Sequence, residues 1–257
     1  ETRMKIPVKM KGFYKVEVLK AVLDEDGNQV FDEDGRALAY EDTRTLVADW
    51  FPNLILDEGR DGMAEQLNWL AFCQVGEGNS TPNVSQTALD NQVVGQTSGI
   101  ESTIPAANGV YGSKQITYRI PAGPIGNKNL NEVGVGWAQT GPAIISRSLI
   151  FVDGSQVPIT PLADELLDVT NQLRYYPPAA DITGTQDFDG VTYNYILRAS
   201  SLSDPSVWGS RIGSEMGEYS ATNSDWQVYS DVIGTVTQTP SGTPAANDNS
   251  NVQNLGY

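Results

Sequence analysis

The sequence contains no histidine and only one cysteine, Cys73, among its 257 residues. Without histidine, the Ser-His-Asp and Cys-His catalytic schemes and the histidine-rich zinc and iron sites are excluded. A single cysteine cannot form an internal disulfide, so packing has to hold the fold together. Cys73 lies in an apolar run between Phe72 and Val75, where a cysteine usually serves as a small buried hydrophobic residue.

Basic residues are also scarce, since 16 Lys and Arg stand against 32 Asp and Glu for a net charge of −16. Binding to nucleic acid or to an anionic membrane surface depends on clustered Lys and Arg, so we expect neither partner. No apolar run approaches the roughly 18 residues that a membrane-spanning helix needs. Charges interrupt residues 1–11 at every second or third position, which is unlike the apolar core of a secretory signal.

Short apolar-alternating runs separated by turn residues dominate the chain, and their spacing is typical of a β-sandwich or barrel. The clearest runs are residues 14–23, 43–51, 115–120, 133–137, 143–151, 167–175 and 190–198. We expect Pro52–Asn53 to end the second run. The predicted fold is therefore mainly β, sandwich or barrel-like, with one short helix near residues 57–71 and an extended C-terminal arm.

The helix prediction depends on spacing and on a start signal. Asp57 is a suitable N-cap, and four apolar residues follow at helical spacing on one face: Met63, Leu67, Leu70 and Ala71. Gly59 and Gly62 weaken the first turns by up to about 1 kcal/mol each relative to alanine. We expect a buried strand to follow at residues 71–76.

Composition divides the chain into three parts. Residues 1–56 form an N-terminal extended segment with an acidic hairpin, and residues 57–236 form a β-rich main domain. Residues 237–257 have almost no apolar content, so we expect a polar arm that neighbouring subunits or another protein hold in place. No internal repeat is evident beyond two identical acidic tetrads.

These tetrads, Asp24–Gly27 and Asp32–Gly35, are the most obvious candidates for a calcium site. An EF-hand loop places glycine sixth and a bidentate glutamate twelfth, whereas glycine stands fourth here and no helix flanks either tetrad. Asp-Gly is a strong tight-turn signal. We interpret both tetrads as acidic turns at hairpin tips, with adventitious binding of a divalent ion as the alternative.

Other motifs for catalysis or cofactor binding are incomplete. Asp164 and Glu165 could supply a glycosidase carboxylate pair, but adjacent residues of a strand or helix point to different sides, which favours a solvated acidic edge. Residues 76–81 are similar to a phosphate loop but lack its lysine and its helix. Gly134 and Gly136 lie inside a strand-like run without a dinucleotide-binding unit. We therefore expect a protein that is not an enzyme and has no cofactor, catalytic residues or resident metal.

Aromatic and arm residues supply the candidate assembly contacts. Prolines follow Tyr175 and Tyr176 directly, and two adjacent tyrosines of a strand cannot both face inward. One of them is therefore a candidate contact for a neighbouring subunit or a sugar, with simple packing as the alternative. In the polar arm, the candidate contacts are Thr237, Pro240, Pro244 and Tyr257.

Several segments taken together resemble a family of structural proteins of tailed bacteriophages, found in the neck, collar and tail-associated parts of the virion. The likeness spans roughly residues 45–200 and is carried by residues 50–61, 73–79, 129–137, 167–170, 173–178 and 189–195. It rests on the order and spacing of these segments, since no single motif among them is diagnostic.

The resemblance implies a non-enzymatic virion component that is assembled in the host cytoplasm. It would form multi-copy rings in the neck, collar or tail region that join neighbouring parts or anchor fibres. Its partners would be further copies of itself and other phage neck or tail proteins, and any partner of the acidic turns should be basic. The alternative is a tail-fibre adhesin that recognises host surface glycan, although trimeric fibres usually show repeats or heptads. A polysaccharide-degrading tail enzyme would need a carboxylate pair that the sequence does not reveal.

Overall fold

The computed structural model describes residues 9–65, 68–97, 100–104, 112–176, 180–188 and 190–197. Antiparallel strands dominate this part of the chain, which confirms the predicted mainly β fold. The elements are β1 (Lys9–Ala21), β2 (Ala39–Ile55), α1 (Asp57–Glu65), β3 (Phe72–Gly76), β4 (Gln92–Thr97), β5 (Ile100–Ile104), β6 (Gly112–Ile120), α2 (Ala122–Ile125), β7 (Glu132–Gly136), β8 (Ile144–Leu149), β9 (Phe151–Val152), β10 (Ser155–Gln156), β11 (Glu165–Tyr176), β12 (Ile182–Phe188) and β13 (Val191–Leu197).

Nine of the described strands form one sheet in the order β4-β3-β7-β8-β2-β1-β11-β6-β5. The long strand β2 connects its two halves, because residues 39–53 pair with β1 while Leu54 and Ile55 pair with β8. Side chains from both halves meet in a single core, so the sheet is folded over into two layers. Strands β9–β10 and β12–β13 form two separate hairpins.

Period-two alternation places every second residue of the central strands in this core. Tyr14, Val16 and Val18 of β1 are buried, and the residues between them face the other side. The Tyr14 hydroxyl is hydrogen-bonded at 2.7 Å to Oγ of Ser146 on β8, in the opposite layer. This bond satisfies a polar group deep in the core, where an unpaired hydroxyl would be costly.

The short helix predicted near residues 57–71 is α1, which starts at Asp57 itself and ends at Glu65, earlier than expected, because residues 68–70 form a turn. Its two glycines are needed for packing, because a Cβ at Gly59 would overlap the backbone of Ile145 and one at Gly62 would overlap the ring of Trp137. Beyond the helix, Leu70 is buried in a turn, and Leu67 lies outside the described residues. A second, four-residue helix, α2, was not predicted.

The expected end of the second strand at Pro52–Asn53 is wrong, since β2 continues to Ile55. Proline lacks the N–H group of a regular ladder, and it is tolerated here because β2 changes its partner from β1 to β8 at this point. The Pro52 carbonyl accepts a hydrogen bond of 2.9 Å from Oγ of Ser148.

Strands β1 and β2 lie in the middle of the sheet, so residues 9–55 share their core with the main domain. The predicted arm, residues 237–257, lies outside the described residues. The two described helices, of nine and four residues, are both too short to span a membrane.

Candidate interaction surfaces

Residues 22–38, here called the acidic double turn, consist of two successive eight-residue units that the sequence reading missed. The units are closed by three backbone hydrogen bonds, from Val22 N to Leu38 O at 3.0 Å, from Val30 N to Val22 O at 2.9 Å and from Leu38 N to Val30 O at 2.9 Å. Equivalent residues therefore recur every eight positions. The spacing of the two tetrads was the available signal, but the residues that follow each tetrad differ.

Within each unit the first aspartate organises its own turn. Oδ1 of Asp24 accepts hydrogen bonds from the backbone N–H groups of Asp26 at 3.0 Å and Asn28 at 2.7 Å. The pKa of Asp24 is lowered below its usual range, chiefly by the hydrogen bond from the Asn28 N–H. Asp32 repeats this arrangement, and Gly27 and Gly35 adopt φ of +82° and +75°. Among the described residues, no three potential ligands are grouped to hold a metal ion.

The acidic double turn packs on the side of the sheet away from the main core. Ala37 joins Leu19 and Leu166 in a small separate apolar cluster, and Oε1 of Gln29 accepts a hydrogen bond of 2.8 Å from the N–H of Ala122 in α2. The opposite side is exposed, and Phe31 leaves 48% of its surface in solvent. A fixed base with exposed apolar and acidic side chains is an arrangement suited to contact with a partner.

A second candidate surface follows strand β2. Tyr40, Leu46 and Trp50 are exposed along this strand. A groove of about 590 Å³ lies beside it, lined by Val18, Leu19, Lys20, Thr43, Thr45, Val47, Val152, Val157, Pro158, Ile159, Thr160, Pro161 and Glu165. Its volume is within the range of small ligand pockets, and its lining is largely aliphatic.

A charge network stabilises the sheet next to the acidic double turn. Arg119 donates two hydrogen bonds to the buried carboxylate of Asp168, at 2.8 and 2.7 Å, and a further one to Glu41 at 2.8 Å. Arg44 also reaches Asp168, at 2.9 Å. The bonds to Asp168 raise the pKa of Arg119. For Glu41, burial opposes ionisation, but the bonds from Arg44 and Arg119 outweigh it and lower the pKa. The two buried charges of the network, on Arg119 and Asp168, are therefore paired.

A second network explains why glycines occur in residues 76–81. The fully buried Glu132 carboxylate accepts hydrogen bonds from Arg147 and from the backbone N–H groups of Gly78 and Asn91. A Cβ at Gly78 would overlap Oε1 of Glu132, so glycine is required for this close approach. The segment that is similar to a phosphate loop thus encloses one of the protein's own carboxylates.

Asp164 and Glu165 do not point to different sides, so that expectation was wrong. Nζ of Lys20 lies 2.8 Å from Oδ1 of Asp164 and 3.3 Å from Oε1 of Glu165. Asp164 precedes β11 in a turn, where strand alternation does not apply. The bond from Lys20 lowers the pKa of Asp164, and the same bond raises the pKa of Lys20. The two carboxylates share one ammonium group at the end of the groove.

The other predicted site residues are Cys73, the tyrosine pair and the residues of the polar arm. Cys73 is fully buried in the core, and burial raises the pKa of its thiol. Tyr176 is half-buried, with Nζ of Lys9 and Lys11 at 5.9 and 5.8 Å from the centre of its ring. The backbone of Tyr175 pairs with Met10 and with Gly112 within the sheet. The predicted arm contacts Thr237, Pro240, Pro244 and Tyr257 lie outside the described residues.

Comparison with protein-family models, with curated proteins and with solved structures finds no match for this chain.

Proposed function

We propose that this protein is a non-enzymatic structural subunit of a tailed phage virion. It assembles in the host cytoplasm into multi-copy rings of the neck, collar or tail region, which join neighbouring virion parts or anchor fibres. Its partners are further copies of the same chain and other neck or tail proteins. The resemblance of residues 45–200 to phage structural proteins supplies the setting of this proposal.

The observation that carries the proposal is the position of the exposed apolar side chains. Of the nine large apolar side chains exposed in the described residues, six fall within one stretch of the sequence: Leu23, Phe31, Leu38, Tyr40, Leu46 and Trp50. Single exposed apolar side chains are common on soluble proteins, but this concentration in residues 23–50 singles out one segment of the chain as the candidate for contact with partners. The acidic double turn and β2 therefore supply the surface that an assembling subunit needs.

The paired charges support a structural role. Asp168 and Glu132 are buried, and each accepts hydrogen bonds from an arginine on a neighbouring strand. Carboxylates held in this way orient loops on both sides of the sheet. A rigid sheet with ordered outer loops is suited to carrying load between neighbouring subunits.

One observation favours the adhesin as a second candidate. Phe31, Tyr40 and Trp50 expose aromatic rings, and such rings stack on the apolar faces of sugars. A tail-fibre protein that recognises host glycan would use these residues in place of a subunit contact.

Native mass spectrometry and electron microscopy of the purified full chain distinguish the two candidates. A structural subunit should form closed rings of fixed copy number and give no saturable signal on an array of bacterial surface glycans. A trimer that binds such glycans, and loses binding in the Trp50→Ala variant, would overturn the proposal in favour of the adhesin.

A further inference from the structure

The side of β2 that faces away from β1 is a sheet edge over most of the strand. Residues 39–51 of β2 pair with β1, and the only described strand that pairs with the other side of β2 is β8, whose pairing begins at Leu54. We call this side of residues 39–51 the β2 edge. Within the described part of the chain, its backbone N–H and C=O groups have no strand partner. Such an edge can accept an added strand.

The groove beside the β2 edge would receive the side chains of an added strand. Thr45 and Val47 line it from β2 and Val18 lines it from β1, so the groove lies along the face of these two strands, next to the β2 edge. Val152, Val157 and Ile159 line it from the segment that follows β8. A strand added here would direct every second side chain into this groove. The groove therefore favours apolar residues at alternate positions of the occupant.

A segment of this pattern precedes β1 in the same chain. Basic residues occupy alternate positions at Arg3, Lys5, Lys9 and Lys11, and the intervening positions are the apolar Met4, Ile6, Val8 and Met10. Pro7 takes the remaining position of the basic series, and proline is tolerated in a strand that has one unpaired side. Met10 packs against the core, and Met4, Ile6 and Val8 stand at even-numbered positions of the sequence, as Met10 does. Residues 1–8 themselves lie outside the described residues.

Charge favours the same pairing. Residues 3–11 carry four of the 16 basic residues of the chain and no acidic residue. The double turn and the start of β2 carry eight carboxylates, with Arg36 as the single base among them: Asp24, Glu25, Asp26, Asp32, Glu33, Asp34, Glu41 and Asp42. Opposite charges of this kind bring two segments together and fix their register.

Residues 3–8, here called the N-terminal arm, have no direct route along the sheet to the β2 edge of their own chain. Gly12 near the start of β1 lies opposite Asn53, and β8 occupies the far side of β2 from Leu54 onward. An arm that leaves the sheet at Lys9 would have to cross over β8 to reach residues 39–51 of its own chain. A neighbouring copy can present its edge without this obstruction.

We propose that residues 3–8 of one copy add as a strand to the β2 edge of a neighbouring copy, with Met4, Ile6 and Val8 in the groove. This inference rests on the multi-copy assembly proposed above and names the contact that builds it. The N-terminal arm and the β2 edge are different surfaces of the subunit, so the contact is head-to-tail. It produces a ring when the rotation that relates successive copies adds up to a full turn.

Disulfide trapping between separate copies tests the contact. One preparation carries Ile6→Cys and the other carries Thr45→Cys, and the two are mixed under oxidising conditions. The native Cys73 is buried and does not interfere. The matched control replaces Thr45→Cys with Val84→Cys, an exposed position on the 77–91 loop. We expect the linked pair to form with Thr45→Cys roughly tenfold or more faster than with the control, because docking raises the effective concentration.

Two trapping results would overturn the contact made by the N-terminal arm. The first is equal trapping at positions 45 and 84. The second is a chain carrying both Ile6→Cys and Thr45→Cys that forms only an internal disulfide at every protein concentration. Deletion of residues 1–8 separates this inference from the proposed function. Rings that persist after the deletion would contradict the arm contact and leave the structural role intact, whereas a full chain that never assembles would contradict both.

Discussion

Arg147 donates two hydrogen bonds to Oε2 of Glu132, at 2.9 and 2.7 Å, and neither side chain has measurable exposure to solvent. The remaining guanidinium nitrogen and the second carboxylate oxygen bind the 77–91 loop, through Gln86 and through the N–H groups of Gly78 and Asn91. One ion pair thus holds a loop of 15 residues against the outer face of β7 and β8.

Removal of Arg147 should therefore be far more costly than removal of a surface arginine. We expect Arg147→Ala to lower the free energy of unfolding by about 3–5 kcal/mol, because it leaves the Glu132 carboxylate buried and unpaired. The control is Arg60→Ala, whose pair with Asp57 is more than half exposed and should contribute about 0–1 kcal/mol. Urea denaturation measures both values, and similar losses in the two variants would contradict this role of the pair.

The glycine at position 136 should be irreplaceable. A Cβ there would overlap the carbonyl oxygen of Ala143 and lie 2.6 Å from Cα of Ile144, both of which are backbone atoms of the neighbouring strand region. We expect Gly136→Ala to cost at least about 1–3 kcal/mol, as overpacked sites do. A Cβ at Gly123 would have no heavy atom within 4 Å. Gly123→Ala should therefore leave the free energy of unfolding unchanged or raise it by up to about 1 kcal/mol. Thermal unfolding of the two variants measures both effects. An unfolding temperature that Gly136→Ala leaves unchanged would show that β7 and β8 are not so closely paired.

Asp90 should make stability depend on acid pH. Burial opposes its ionisation, but hydrogen bonds from Ser80 and the charge of Arg147 outweigh burial, so the pKa of Asp90 is lowered. A lowered pKa means that the stabilisation is complete above the unfolded value of about 3.9 and is lost as pH falls through the folded value. The stability difference between wild type and Asp90→Asn should therefore shrink below about pH 4. Urea unfolding at a series of pH values measures it, and parallel curves for the two proteins would refute this assignment.

The acidic double turn should not take up calcium. Oδ1 of Asp24 and of Asp32 each accepts two backbone N–H bonds from its own turn, which leaves these oxygens engaged. We expect titration calorimetry with calcium chloride to give no saturable heat for the full chain. Saturable heat that disappears in the Asp24→Ala, Asp32→Ala double variant would instead establish a calcium site here.

Local patterns were sufficient to predict much of the fold. The alternation of β1 and the Asp-Gly turns are encoded within a few residues, and the structure confirms both. Strand β11 is instead buried continuously from Leu166 to Leu173, and Asp57 is the first residue of α1. The course of β2 through Pro52 could not be predicted in this way, because it depends on an exchange of partners between β1 and β8.

The charge networks were not predicted, because they depend on the register between neighbouring strands, which the local sequence does not reveal. Arg147 meets Glu132 only because β7 and β8 pair with Gly134 opposite Arg147. The β2 edge likewise becomes visible only when the strand order is known. The eight-residue repeat was accessible from the sequence, but its two units share little beyond the acidic tetrads.

Immunogold electron microscopy of phage particles tests the central claim, a structural role in the virion, most directly. Antibodies raised against the exposed acidic double turn, residues 22–38, would label the chain where it lies in the particle. We expect label at the neck, collar or tail, in a constant number of copies per particle. Label confined to the fibre tips, or particles without label whose proteins include no peptide of this chain, would contradict it.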